Sequence, residues 1–131
     1  MDADVYDRAA GVGRFVKSAK TLLARLSPKR IVPVFFDEYN ISWMWETRDV
    51  RMTNAKGATF DALTLVSATE NGAASLMAWN EKDNIYGKTG DDDTRRPGAE
   101  VLHLFSTYLE SVARRARGVV VFRTHTRRAV G

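Results

Sequence analysis

Three features of the chain predict an α/β fold built on parallel strands. Two short, mostly apolar runs, residues 31–37 and 73–79, lead into acidic or polar residues, Asp37-Glu38 and Asn80-Glu81. Amphipathic helical patterns precede, separate and follow them. No hairpin signal joins one run directly to the next, and alternation of this kind connects parallel strands through right-handed crossovers.

The first helix is predicted over residues 5–26, where Val12, Phe15, Val16, Ala19, Leu22, Leu23 and Leu26 recur at three- and four-residue spacing on one stripe. Ser27-Pro28 stops it, because proline disfavours helical geometry in the residue before it. Residues 31–37 are too short and too uniformly apolar for a helix and read as a buried parallel strand. Pro33 removes one donor from its ladder. Thr53 is placed to cap a second helix over residues 54–70, with Phe60, Leu63 and Val66 turned inward and Asn71-Gly72 as the stop.

Residues 73–79 form the second strand, ending on Trp79. A polar loop follows, residues 80–96, carrying Asp91, Asp92 and Asp93. Pro97 suits the first turn of a third helix, whose buried face is expected to hold Val101, Leu102, Leu104, Phe105, Tyr108, Leu109 and Val112. Gly118-Val119-Val120-Val121-Phe122 has the composition to start a further strand. Two or three parallel strands do not close a sheet, and such sheets are normally covered on both faces. The chain therefore reads as a segment of a larger α/β barrel. Residues 1–113 make up that portion, and residues 114–131 form a basic tail or the start of an accessory strand.

Composition narrows the chemistry. The 131 residues are 44% hydrophobic and contain no cysteine, which excludes disulfides, thiolate catalysis and cysteine-ligated zinc. No apolar run reaches the roughly 18 residues of a membrane span. The acidic start, MDADVYDRAAG, has no apolar core of a signal peptide, and no compartment follows from it. The net charge of +4 resides in the tail, where Arg114, Arg115, Arg117, Arg123, Arg127 and Arg128 stand without an acid among them. The tail has a single aromatic, Phe122, and no reading motif, so a basic-tailed nucleic-acid module is the weakest alternative. No phosphate-binding glycine motif occurs, and His103 and His125 are far apart, so neither a nucleotide cofactor nor a metal is expected. His103, among apolar helical neighbours, reads as a core histidine.

The stretch with chemical content is IVPVFFDEYNISWMW, residues 31–45. Side chains alternate along a strand, so Val32, Val34, Phe36 and Glu38 are expected on one face and Pro33, Phe35 and Asp37 on the other. In a barrel, active sites lie at the C-terminal strand ends, which is where Glu38 stands. Asp37 would then face the helical layer. Tyr39, Asn40, Trp43 and Trp45 follow, and Trp79 ends the next strand just before Asn80-Glu81. Flat apolar rings beside carboxylates and amides suit sugars, whose C–H faces stack while their hydroxyls take hydrogen bonds.

The strings VFFDEYNISW, GATFDALTLVSATENGAASLMAWNEKDNIYG and RRPGAEVLHLFSTYL, over roughly residues 5–113, together resemble the last two β/α units of a retaining glycoside hydrolase. The resemblance is to (β/α)8 barrels of glycoside hydrolase family 39 and its clan, the β-xylosidase and α-L-iduronidase type. It implies a partial (β/α)8 barrel, its last two units plus the preceding helix. It also implies a carbohydrate substrate, no cofactor, Glu38 as nucleophile at the end of the seventh strand and Trp79 as the sugar platform at the end of the eighth. Tyr39, Asn40, Trp43 and Asn80 would complete the substrate-binding set. These enzymes carry their acid/base glutamate at the end of the fourth strand, commonly after an asparagine. No such strand end lies in this chain, and Asn80-Glu81 follows the wrong strand. The chain, against about 250 residues for a typical barrel, is expected to be inactive alone. A carbohydrate-binding or scaffold piece without catalysis is the alternative.

Overall fold

The computed structural model describes residues 2–42 and 49–115. Trp43, Trp45, the strand expected from Gly118 and most of the basic tail lie outside these residues. The element order is helix α1 (Asp2–Leu26), strand β1 (Phe35–Tyr39), a 3₁₀ turn (Val50–Thr53), helix α2 (Ala55–Glu70), strand β2 (Ser75–Ala78) and helix α3 (Pro97–Arg115). β1 and β2 pair in parallel as a two-stranded sheet. The α/β architecture and the parallel pairing are thus as expected from sequence. Among the described residues no helix is long and apolar enough to cross a membrane.

Boundaries move for local reasons. The first strand begins at Phe35, beyond Pro33, and runs through the acidic pair to Tyr39. Proline cannot donate to a ladder, so the pairing starts after it, with Ala74 N–H donating to Val34 O at 2.8 Å. Asn54, not Thr53, caps α2, its side-chain oxygen accepting from Lys56 N–H at 2.9 Å. Thr53 is used by the 3₁₀ turn instead. Gly72 adopts φ 81°, the left-handed geometry that ends α2 where Asn71-Gly72 predicted.

The core lies where α1 and α2 cross and where both meet the sheet. Ala9, Val16, Tyr39, Phe60, Leu65, Ala68, Ala73 and Leu76 form its buried cluster. The crossing is close because α1 presents Ala9 and Gly13 there. Gly13 N–H donates to Ser67 Oγ at 3.0 Å, and Ser67 Oγ donates to Ala10 O at 2.6 Å. The buried stripe of α1 is therefore narrower than its apolar periodicity suggested. Phe15, Leu22 and Leu26 are exposed, as are Val66 on α2 and Leu104 and Tyr108 on α3. Among the described residues two strands stand beneath the helices, too little sheet to cover every apolar turn. His103 is exposed on α3 and is not a core histidine.

The face assignment of β1 is reversed relative to the expectation. Phe36 packs edge-on against Phe15 of α1, with ring centroids 6.2 Å apart, so Val34 and Phe36 belong to the helical side. Phe35 is 58% exposed and Met77 49% exposed, leaving the opposite face of the sheet open.

Two outcomes test this packing. A Cβ on Gly13 would lie 2.4 Å from both Ser67 O and Ser67 Oγ, whereas one on Gly11 meets only the flexible Arg14 side chain. Gly13→Ala is expected to lower stability by about 1–3 kcal/mol in a thermal melt. Gly11→Ala, in the same helix, is expected to be neutral or stabilising by up to about 1 kcal/mol. Phe35→Thr with Met77→Thr keeps strand propensity while removing the open apolar face, and should reduce self-association in sedimentation velocity without unfolding the chain.

Candidate functional site

β1 carries one more residue than β2 between the paired positions Phe36↔Leu76 and Tyr39↔Ala78, so the ladder shifts register across Asp37-Glu38. A bulge of this kind bends the strand and re-aims side chains. It is why Tyr39 turns to the same helical side as Phe36, which strict alternation forbids. Tyr39 is buried with its ring 6.3 Å from that of Phe60 on α2. Asp37 and Glu38 are both exposed at the bulge. Asp37 does not enter the helical layer as expected.

The two strand ends are tied together beyond the ladder. Trp79 N–H donates to Tyr39 O at 2.9 Å. The Asn40 amide donates to Trp79 O and, at 3.2 Å, to Tyr86 O, while its oxygen accepts from Ile41 N–H at 2.8 Å. Asn40 is thus committed to holding the strand ends side by side. The peptide between Trp79 and Asn80 is cis.

The loop after β2 is compact and internally bonded. Lys88 N–H donates to Asn80 O at 3.1 Å, Thr89 N–H to Glu81 O at 2.9 Å, and Arg96 N–H to Lys88 O at 3.0 Å. Asp83 organises its tip: one carboxylate oxygen accepts from the N–H groups of Ile85, Tyr86 and Gly87, and the other from the Asn80 amide. Burial pushes the Asp83 carboxyl up, but the bonds from Gly87, Asn80, Tyr86 and Ile85 together outweigh it and hold the group below its ordinary value.

A buried ion pair fastens this loop to α2. Lys88 Nζ donates to both oxygens of Asp61 on α2, at 2.8 and 2.9 Å, with Lys88 8% and Asp61 1% exposed. Burial raises the Asp61 carboxyl above its ordinary value, and the Lys88 charge and hydrogen bond offset only part of that rise. Lys88 Nζ also lies 5.9 Å from the centroid of the Tyr39 ring. The Tyr39 hydroxyl, buried and without a hydrogen-bond partner among the described residues, is pushed well above its ordinary range by burial and then by the Asp61 charge. It stays protonated.

These parts frame a cleft of about 600 Å³ between the N-terminal half of α1 and the strand ends. Glu38, Tyr39, Asn40 and Trp79 line it, so four of the sequence-derived site residues come together. Asp37 and Asn80 are not among its lining residues; Asn80 stands beside it, bonded to Asp83 at 2.6 Å. Trp43 lies outside the described residues. Periodicity could not point to Asp4 and Arg8 of α1, paired at 3.1 Å, which also line the cleft. Tyr86, in the YG string of the loop and outside the sequence-derived site, lines the cleft as well. Among the described residues no group of His, Cys, Asp and Glu is arranged to hold a metal ion. Comparisons with protein-family models, curated proteins and solved structures gave no match.

Asp83 gives this site a measurable acid response. A carboxyl whose folded value is depressed stabilises its loop above the unfolded value of about 3.9, and the effect is lost as pH falls through the lower folded value. The amide protons of Ile85 and Gly87 should therefore titrate together in NMR spectra with a midpoint below about 3.9. Asp83→Ala should remove that titration and speed exchange of both amides by about tenfold or more. Unchanged exchange in the variant would mean that the carboxylate does not hold the loop.

Proposed function

We propose that this chain is the C-terminal part of a retaining glycoside hydrolase barrel, with β1 and β2 as neighbouring barrel strands and Glu38 as nucleophile. The observation that carries the reading is the convergence of two parallel strand ends, Glu38-Tyr39-Asn40 and Trp79, on one cleft. That is the end of a parallel barrel at which active sites are built. The exposed face with Phe35 and Met77 is compatible with further strands lying across it.

In this reading Trp79, 41% exposed, offers its ring to the C–H face of a sugar, and the protonated Tyr39 remains a donor beneath the cleft. Glu38, ionised, attacks the anomeric carbon as the bond to the leaving oxygen breaks, giving a covalent glycosyl ester. Water then cleaves that ester and the carboxylate is regenerated. The leaving oxygen takes its proton from a second carboxyl about 5–5.5 Å away, which the resemblance places on a strand earlier in the barrel. Asn40 serves as a strut between the strand ends, and Asn80 fixes the Asp83 turn.

The chain itself should bind xylotriose weakly, seen as a change in tryptophan fluorescence, and Trp79→Ala should weaken binding by about tenfold, about 1.4 kcal/mol. Joined to the preceding units of its barrel, a mechanism-based fluorosugar should esterify Glu38, located by fragmenting the labelled peptide. Glu38→Gln should lower hydrolysis by orders of magnitude and leave folding nearly unchanged. A label on Asp37, or substantial activity in Glu38→Gln, would overturn the assignment of the nucleophile. Saccharide binding without labelling or hydrolysis would identify a non-catalytic carbohydrate-binding piece instead.

A further inference from the structure

We propose that Asp61 and Lys88 are positioning residues, whose buried bond sets where the loop after β2 holds Trp79 and Asn80 against the end of β1. The inference concerns the same cleft as the glycosidase reading, but the first test needs no ligand.

The two residues belong to different layers. Asp61 sits on the inner face of α2, and Lys88 sits in the middle of the loop that leaves β2. Their side-chain bond ties α2 to that loop, and it is nearly closed to water. Lys88 also donates its backbone N–H to Asn80 O at 3.1 Å, so the tether acts one residue from Trp79. Its ammonium lies near the face of the Tyr39 ring, at the other strand end. The Asp61 side chain in turn fixes how closely α3 can begin, because a Cβ on Gly98 would lie 2.3 Å from Asp61 Oδ2. One bond therefore registers α2, α3 and both strand ends.

Stability alone does not account for such a pair. Replacing a buried ion pair with apolar groups of similar volume is often neutral or stabilising, because desolvation offsets much of the attraction. A directional two-oxygen bond does what an apolar contact cannot: it admits one position of the loop rather than several. The Asp83 turn makes the loop internally stiff, so fixing Lys88 fixes its neighbours.

The test uses the chain with Trp43→Phe and Trp45→Phe, which leaves Trp79 as its sole tryptophan. Asp61→Leu with Lys88→Met is then compared with this parent. Melting should move by less than about 5 °C. Acrylamide quenching of Trp79 should change by about twofold or more, and amides of residues 82–90 should exchange about tenfold faster, while those of α2 do not. A purely structural pair would shift the melt and the exchange of all elements together. A folded double variant with quenching and loop exchange like the parent overturns the proposal. If that variant does not fold, Asp61→Asn with Lys88→Met, which keeps both side-chain sizes and removes the ammonium donor and the charges, is read in the same two ways: a loosened loop supports the tether, an unchanged loop overturns it. Xylotriose titration of the same proteins separates this inference from the functional reading. No binding by the parent, with loop loosening in the variant, removes the sugar and keeps the tether.

Discussion

A carboxylate and an ammonium withdrawn from water between α2 and the loop after β2 constrain most of what surrounds the cleft. Asp61 and Lys88 are each costly to bury alone, and removing either partner from such a pair typically costs about 3–5 kcal/mol. Because both are buried, their bond has little freedom of length or direction. The loop's own hydrogen bonds then carry that fixed point to Asn80 and Trp79, and Gly98 lets α3 start against the same carboxylate. A polar contact in the interior thus sets the place of residues that reach solvent.

The second constraint is the extra residue in β1. Without it, Tyr39 would point to the open side of the sheet, away from Phe60, and the helical layer would lose the aromatic that closes its upper end. With it, the ladder resumes at Tyr39↔Ala78 after giving up regular pairing at the acidic pair. Backbone groups at a bulge are locally unpaired, and side chains there are free of the sheet's two-sided rule. Asp37 and Glu38 occupy that position, which is how a carboxylate that alternation would send toward the helices lines a solvent-reached cleft.

Apolar surface remains in the open among the described residues. The sheet presents Phe35 and Met77 on the face away from the helices, and α1 presents Phe15, Leu22 and Leu26. A two-stranded parallel sheet has two free edges and one bare face, an arrangement rare in isolation because parallel strands depend on cover from both sides. The reading of the chain as part of a barrel agrees with that exposure. The same exposure explains why apolar periodicity overstated the buried stripes of α1 and α3.

The sequence by itself determined the α/β class, the number and order of α-helices and strands over the described residues, and the parallel pairing of the strands, because those rest on local periodicity and on the absence of hairpin turns. It also placed Glu38, Tyr39, Asn40 and Trp79 at strand ends, since a strand's end is marked by the change from apolar to polar residues. The start of β1 beyond Pro33, the cap at Asn54 and the bulge at Asp37-Glu38 depend on competition between neighbouring backbone bonds, which no spacing reveals. The sides of the sheet were decided only in three dimensions, by Phe15 of α1 meeting Phe36. So were the contribution of Asp4 and Arg8 to the cleft and the union of Asp61 with Lys88. Each joins residues that are distant along the chain, and their meeting follows from helix packing and desolvation rather than from any local pattern.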